Sequence, residues 1–189
     1  HCRIPRMVSM FQKILVAVDT SKSSKQVFDT ALSLAKANNA SLMLLHVVSE
    51  EELGSPTPIL PSLEYYPSVY EKNMELYQQQ REAFTKQGLD MLRSRHQEAM
   101  AAGLNVEFRQ LSGSPGRLIC DFALAWKADL IVTGRRGRRG LSEFFMGSVS
   151  NYVLHHASCS VLTVQSPVQP AEKLQSAERE VSLGYKSSN

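Results

Sequence analysis

The chain has 189 residues, 43% of them hydrophobic, and a formal net charge of +3. That length suits one domain with a sizeable core rather than two, and a charge this close to balance argues against a global nucleic-acid binder. No run approaches the roughly 18 apolar residues of a membrane-spanning helix. The apolar stretch "ILVAV" is too short for a signal-peptide core, and Asp19 ends it. The chain therefore reads as cytoplasmic, with residues 1–10 an N-terminal extension and Met10 a natural start. Its cysteines, Cys2, Cys120 and Cys159, are odd in number and far apart. That pattern excludes a disulfide framework or a zinc spacing and suits small buried thiols.

"KILVAVD" (Lys13–Asp19) is a short, β-branched apolar run without alternation, the pattern of a strand covered on both faces. "DTSKSS" then offers helix N-caps, and Val27, Ala31, Leu34 and Ala35 fall on one helical face before Asn38-Asn39 stops the pattern. "SLMLLHVV" (Ser41–Val48) is a second buried strand, so the opening is a β-α-β unit and the sheet is parallel. A proline-rich loop follows, long enough to cover a site. A helical pattern runs from about Ser68 to Ala102, with Gly88 a kink or break and Gly103 a fitting C-cap. Leu104–Leu111 alternates, as a strand near a sheet edge does. Ser114-Pro115 starts a helix, Ala128–Gly134 is a buried strand, "MGSVSNYVLHHA" a helix and "CSVLTV" the last strand. From Ser166 the tail is polar and reads as disordered. Alternation of apolar strands with helices predicts a single α/β domain over residues 11–165, a doubly wound open sheet whose ligands bind at the carboxyl ends of its strands.

The stretch "GRRGRRGLSEFFMGS" (Gly134–Ser148) begins at such an end. Gly134, Gly137 and Gly140 allow backbone N–H groups to converge on an anion. Gly147-Ser148 opens a helix whose N-terminus favours phosphate, and the Ser148 and Ser150 hydroxyls add donors. There is no GxxxxGK[ST], and no GxGxxG after the first strand, so neither a Walker loop nor a dinucleotide fingerprint is present. Arg135, Arg136, Arg138 and Arg139 could neutralise a triphosphate or stand as a solvated basic loop. The neighbourhood lacks interleaved aromatics for base stacking, which argues against nucleic acid.

The spacing G-x2-G-x9-G-[ST] at Gly134, Gly137, Gly147 and Ser148, with "KILVAVD", "LLHVV", "ADLIVTGRRG" and "GSVSNYVLHHASCSVLTV", resembles the ATP-binding branch of the universal stress proteins over about Phe11–Val164. The resemblance implies five parallel strands in the order 3-2-1-4-5 and a nucleotide across the carboxyl ends of the first and fourth. By position, Ala17, Val18 and Asp19 would flank the adenosine and Val47 the adenine. Thr133, Gly134, Arg136 and Gly137 would line ribose and phosphates, and Gly147, Ser148, Val149 and Ser150 would hold the phosphates. The implied ligand is ATP, with or without Mg2+; AMP and ADP would use many of the same contacts. The resemblance also implies a homodimer through antiparallel pairing of the last strand, Ser160–Val164, with Val161, Leu162 and Val164 supplying its apolar face.

Asp19 suits either an adenine amine or ribose hydroxyl, since its carboxylate only accepts, or a helix N-cap. His46 reads as a satisfied core histidine. Glu50, Glu51 and Glu52 read as a solvated run, with help in holding a magnesium ion as the alternative. Adjacent His155 and His156 point about 100° apart on a helix and do not share a small ion easily. No nucleophile–base pair is readable. A regulatory, stress-response nucleotide-binding protein is therefore favoured over a slow ATPase or an autokinase acting on Ser148. In the regulatory reading the loop Tyr65–Tyr70 is a candidate sensor surface. A nucleotide-free protein docking partners through its arginine loop is the third reading.

Overall fold

The computed structural model describes residues 9–50, 52, 54–58, 67–134 and 147–165. The arginine loop from Arg135 to Met146, Tyr65 and the polar tail from Ser166 lie outside the described residues. Strands and helices alternate: β1 (Lys13–Ala17), α1 (Ser24–Asn38), β2 (Ser41–Val48), α2 (Pro67–Ala101), β3 (Val106–Ser112), α3 (Pro115–Trp126), β4 (Leu130–Gly134), α4 (Ser148–His156) and β5 (Ser160–Val164). The five strands form one sheet in the order β3-β2-β1-β4-β5, with every neighbouring pair parallel.

The unbroken apolar runs follow from two covered faces. Ile14, Val16, Leu42, Leu44 and Val132 point to a layer made by Phe28 and Ala31 of α1 and Leu92 and Ala99 of α2. Leu15, Met43, Leu45 and Ile131 point to the opposite layer, with Ile119 and Ala123 of α3 and Val153 of α4. Each fully buried Leu, Ile or Phe in these layers stabilises the fold by roughly 1.5–3 kcal/mol. Phe28 takes the deep position on α1, while Leu34 is only partly buried. Among the described residues no helix is long and apolar enough to cross a membrane.

Several element ends differ from the sequence expectation, for local reasons. β1 stops at Ala17 rather than Asp19: Val18 N still donates to Leu45 O, and the chain then turns. β3 begins at Val106 because Leu104 N donates to Ala99 O and so finishes α2; Gly103 has a left-handed φ of +81° there. β4 begins at Leu130 because Ala128 N closes α3 onto Ala123 O, and the Asp129 carboxylate accepts the amides of Gln12 and Lys13. The break considered at Gly88 does not occur; α2 runs unbroken for 35 residues, about 52 Å at 1.5 Å per residue.

Candidate functional site

The strand order reverses direction between β1 and β4, so the helices leaving these two strands diverge to opposite faces and open a crevice at their carboxyl ends. Ala17 ends β1 on one side of it, with Val18 and Asp19 following, and Thr133 and Gly134 end β4 on the other. β2 runs further than β1: Ala17 pairs with Leu45, so His46, Val47 and Val48 continue beyond the end of β1. Val47 is buried and belongs to the α3–α4 layer.

The start of α4 reaches the same crevice. Gly147 is its N-cap, with Asn151 N donating to Gly147 O as the first intrahelical bond. The amides of Ser148, Val149 and Ser150 therefore lack a carbonyl one turn earlier, and the positive end of the helix dipole sits on them. Ser148 is exposed, Val149 packs partly buried against the α3–α4 layer, and Ser150 is buried. The Ser150 hydroxyl donates to the Gly134 carbonyl, which fastens the start of α4 to the end of β4. Gly134 sits close to α1: a Cβ there would stand 3.1 Å from Val27 Cγ2. Arg136 and Gly137, with the remaining arginines, lie outside the described residues.

Asp19 is not the N-cap of α1; that position is Ser23. Asp19 instead shapes the turn before the helix. Its Oδ1 accepts from Ser21 N at 3.0 Å and from the Ser21 hydroxyl, while Asp19 N donates to Ser24 Oγ at 3.0 Å. This Asx-type turn fixes the carboxylate at the rim of the crevice.

Glu52 departs from the expected solvated run. Its side chain is only 7% exposed. Oε1 accepts from Thr20 N and Thr20 Oγ1, both at 3.1 Å, and from His46 Nε2 at 2.9 Å. His46 is fully buried, as a satisfied core histidine should be, and it faces α2. Behind it, Gln110 Nε2 donates to Thr85 O at 2.9 Å and to His46 Nδ1 at 3.0 Å. A carbonyl only accepts, so Thr85 sets the Gln110 amide orientation. That makes His46 Nδ1 an acceptor and places the ring proton on Nε2, aimed at Glu52. Glu52, Gln110, Thr20 and Gly88 were not picked out as a group from the sequence. An interior helix glycine is the one local signal, and the other contacts bridge distant segments.

The remaining candidates stand apart from the crevice. His156 Nδ1 pairs with Tyr152 O at 2.8 Å and its ring stacks on Tyr152 at 4.0 Å. Among the described residues, no group of three or more His, Cys, Asp or Glu side chains is placed to hold a metal ion. Burial raises the Cys120 and Cys159 thiols above their ordinary range, the charges of Asp121 and Asp129 adding to it respectively. A polar cavity lined by Gln12, Lys13, Asn39, Ser41, Lys127 and Asp129 lies at the opposite, amino end of the strands.

A model of the universal stress protein family matches residues 10–165. The Synechocystis universal stress protein Sll1388 is 36% identical over 159 residues, which cover 82% of this chain and 98% of that protein. Slr1101 of the same organism is 49% identical over 105 residues, 55% of this chain and 97% of its own length. Among solved structures, UspA from Lactobacillus plantarum matches with a TM-score of 0.62 at 28% identity, covering 81% of this chain and 97% of its own. A universal stress protein solved in complex with cAMP matches with a TM-score of 0.53 at 26% identity, covering 82% and 96%. A family model that spans the whole sheet, with relatives at a third identity or more and a matching solved fold, makes this chain a member of the universal stress protein family.

Proposed function

We propose that the chain is a regulatory nucleotide-binding protein that holds ATP across the carboxyl ends of β1 and β4 and acts as a homodimer. The observation that carries this is the bond from Ser150 to Gly134 O: it sets a helix N-terminus against the end of β4 at the topological switch point, where an anion gains most. Ser148, Val149 and Ser150 would offer amides to the phosphates, with Gly147 leaving room for close approach. Thr133, Gly134, Arg136 and Gly137 would line the ribose and phosphates. Ala17, Val18, Asp19 and Val47 would form the nucleoside end. The family neighbour in complex with cAMP supports an adenine nucleotide as the ligand class. ATP is favoured over AMP and ADP because the arginine loop follows directly on the phosphate end. A magnesium ion would meet the phosphates rather than Glu52, whose carboxylate already serves Thr20 and His46.

The homodimer is proposed through β5. It is an edge strand whose Val161, Leu162 and Val164 are only half-buried within one chain, so antiparallel pairing with a second copy would cover both its backbone and its side chains. The nucleotide test is direct. The purified protein is denatured without added nucleotide and its supernatant run on ion exchange with adenine absorbance, followed by calorimetry with ATP. Co-purified or titrated ATP near one per chain, lost in Gly147→Val, supports the reading; a chain that carries none and gives no heat with ATP sinks it.

A further inference from the structure

We propose that Glu52, oriented by His46, is a positioning residue that sets the turn after β1, and with it Asp19, for the nucleoside end of the ligand. The inference rests on the nucleotide reading above. Bonds internal to the turn, from Ser21 to Asp19 and from Asp19 to Ser24, fix its shape. The bonds from Thr20 to Glu52 fix where that shape stands against β2. Thr20 is the residue next to Asp19, so a displacement at one is a displacement at the other.

The anchor behind Glu52 is built in depth. Glu52 follows β2, Thr20 follows β1, His46 lies in β2, Gln110 in β3 and Thr85 in α2. The chain of bonds runs from Thr85 O through Gln110 Nε2 and the His46 ring to the Glu52 carboxylate. A carboxylate this far removed from water requires several donors, and its two oxygens receive four contacts at 2.9–3.1 Å. Ring, amide and carboxylate orientations are mutually determined, so the turn inherits the rigidity of the sheet and of α2. An apolar tether would hold the turn without directing any one of its amides. A polar chain directed at one backbone N–H instead locates that N–H in space.

The test uses the full chain in calorimetry with three probes: ATP, AMP and inorganic tripolyphosphate. Glu52→Ala is expected to weaken AMP and ATP by about tenfold each, the loss of a charge-assisted bond to a positioned group. Tripolyphosphate, which lacks a nucleoside and meets only the phosphate end at β4 and α4, is expected to bind as it does to the unaltered chain. Thr20→Val removes one of the two bonds without exposing the carboxylate, and is expected to cost about threefold on the same two probes. In an Asp19→Ala background the Glu52→Ala effect should vanish, because nothing remains to be positioned. AMP affinity unchanged in a folded Glu52→Ala or Thr20→Val chain overturns the proposal, as does an equal loss for AMP and tripolyphosphate. If the unaltered chain binds neither AMP nor ATP, the nucleotide reading falls. The positioning role is then judged by hydrogen exchange at the Thr20 amide. Slow exchange that becomes fast in Glu52→Ala keeps the placement of the turn by Glu52 while its service to a nucleoside falls, and no change removes both.

Discussion

Replacing a glycine by alanine in the middle of an α-helix ordinarily stabilises a protein, by about 0.5–1 kcal/mol. Gly88→Ala should do the reverse. Gly88 lies on the buried stripe of α2 with Phe84, Leu92 and Ala99. A Cβ at this position would stand 2.3 Å from His46 Cε1, 2.5 Å from His46 Nδ1 and 2.7 Å from Gln110 Nε2. Neither group can step aside cheaply, since His46 is fully buried and bonded at both nitrogens, and Gln110 is bonded to Thr85 O as well. Overpacking of this kind costs about 1–3 kcal/mol, and breaking the His46–Gln110 contact adds about 1–3 kcal/mol for the donor or acceptor left unpaired. Against the helix gain, the net destabilisation is roughly 1–5 kcal/mol.

For a chain of this size each kcal/mol moves the melting temperature by about 2–4 °C, so a fall of roughly 2–20 °C is expected by calorimetry or circular dichroism. Gly103→Ala is the control. Nothing lies within 4 Å of a Cβ there, and the only penalty is the left-handed φ of +81°, about 1 kcal/mol. A Gly88→Ala chain that melts at or above the unaltered temperature would refute the claim that the glycine makes room for the imidazole. The same substitution should also lower AMP affinity, because a shifted His46 ring misplaces Glu52 and the turn it holds.

Ser150→Ala removes the hydroxyl that joins α4 to the Gly134 carbonyl; about 1–2 kcal/mol of stability should be lost in urea unfolding, with ATP affinity falling several-fold in calorimetry. The Cys120 and Cys159 thiols should alkylate far more slowly in the native chain than in urea at pH 8, read by mass spectrometry, since burial holds both above the ordinary thiol range. The folded state therefore keeps protons that the unfolded chain releases. This contribution to stability is whole below an unfolded thiol value of about 8.5 and is lost as pH rises through the higher folded values. The decline between pH 8 and 10 should be shallower in a Cys120→Ala/Cys159→Ala chain. Light scattering at micromolar concentration should give twice the chain mass of 21.1 kDa; a single-chain mass would remove the β5 dimer.

The fold was legible because its signals are local. Residues 13–17 and 41–48 read as covered strands since alternate side chains enter two apolar layers, so neither face shows a polar period. Ser114 and Pro115 marked the start of α3 through cap and N1 chemistry, and α3 does begin at Pro115. Strand ends were read one or two residues too long where a cap competed for the backbone. Ala128 and Leu104 look like strand residues, but their amides close the preceding helices. Of the residues assigned to the crevice, the end of β4 and the start of α4 stood out through glycine spacing and topology, whereas Ala17, Val18, Asp19 and Val47 came only through the family resemblance. Asp19 had two readings, a nucleoside contact or the N-cap of α1; the cap reading fails because five candidate caps crowd Asp19–Ser24 and only geometry selects Ser23.

The Glu52 network was illegible for the opposite reason. Its members, Thr, Glu, Gln and His, are ordinary surface letters, and an acidic triplet after a strand reads as a solvated run. Their worth arises from contacts near 3 Å between elements, and Gln110 stands 64 residues from His46. Periodicity cannot report such a contact, since no single element shows it. One member does leave a local trace. A glycine in a helix interior carries a cost of about 0.5–1 kcal/mol, and an unbroken 35-residue helix shows that Gly88 is not there to end one. What remains is the space it leaves, and that space is filled by the ring that aims Glu52.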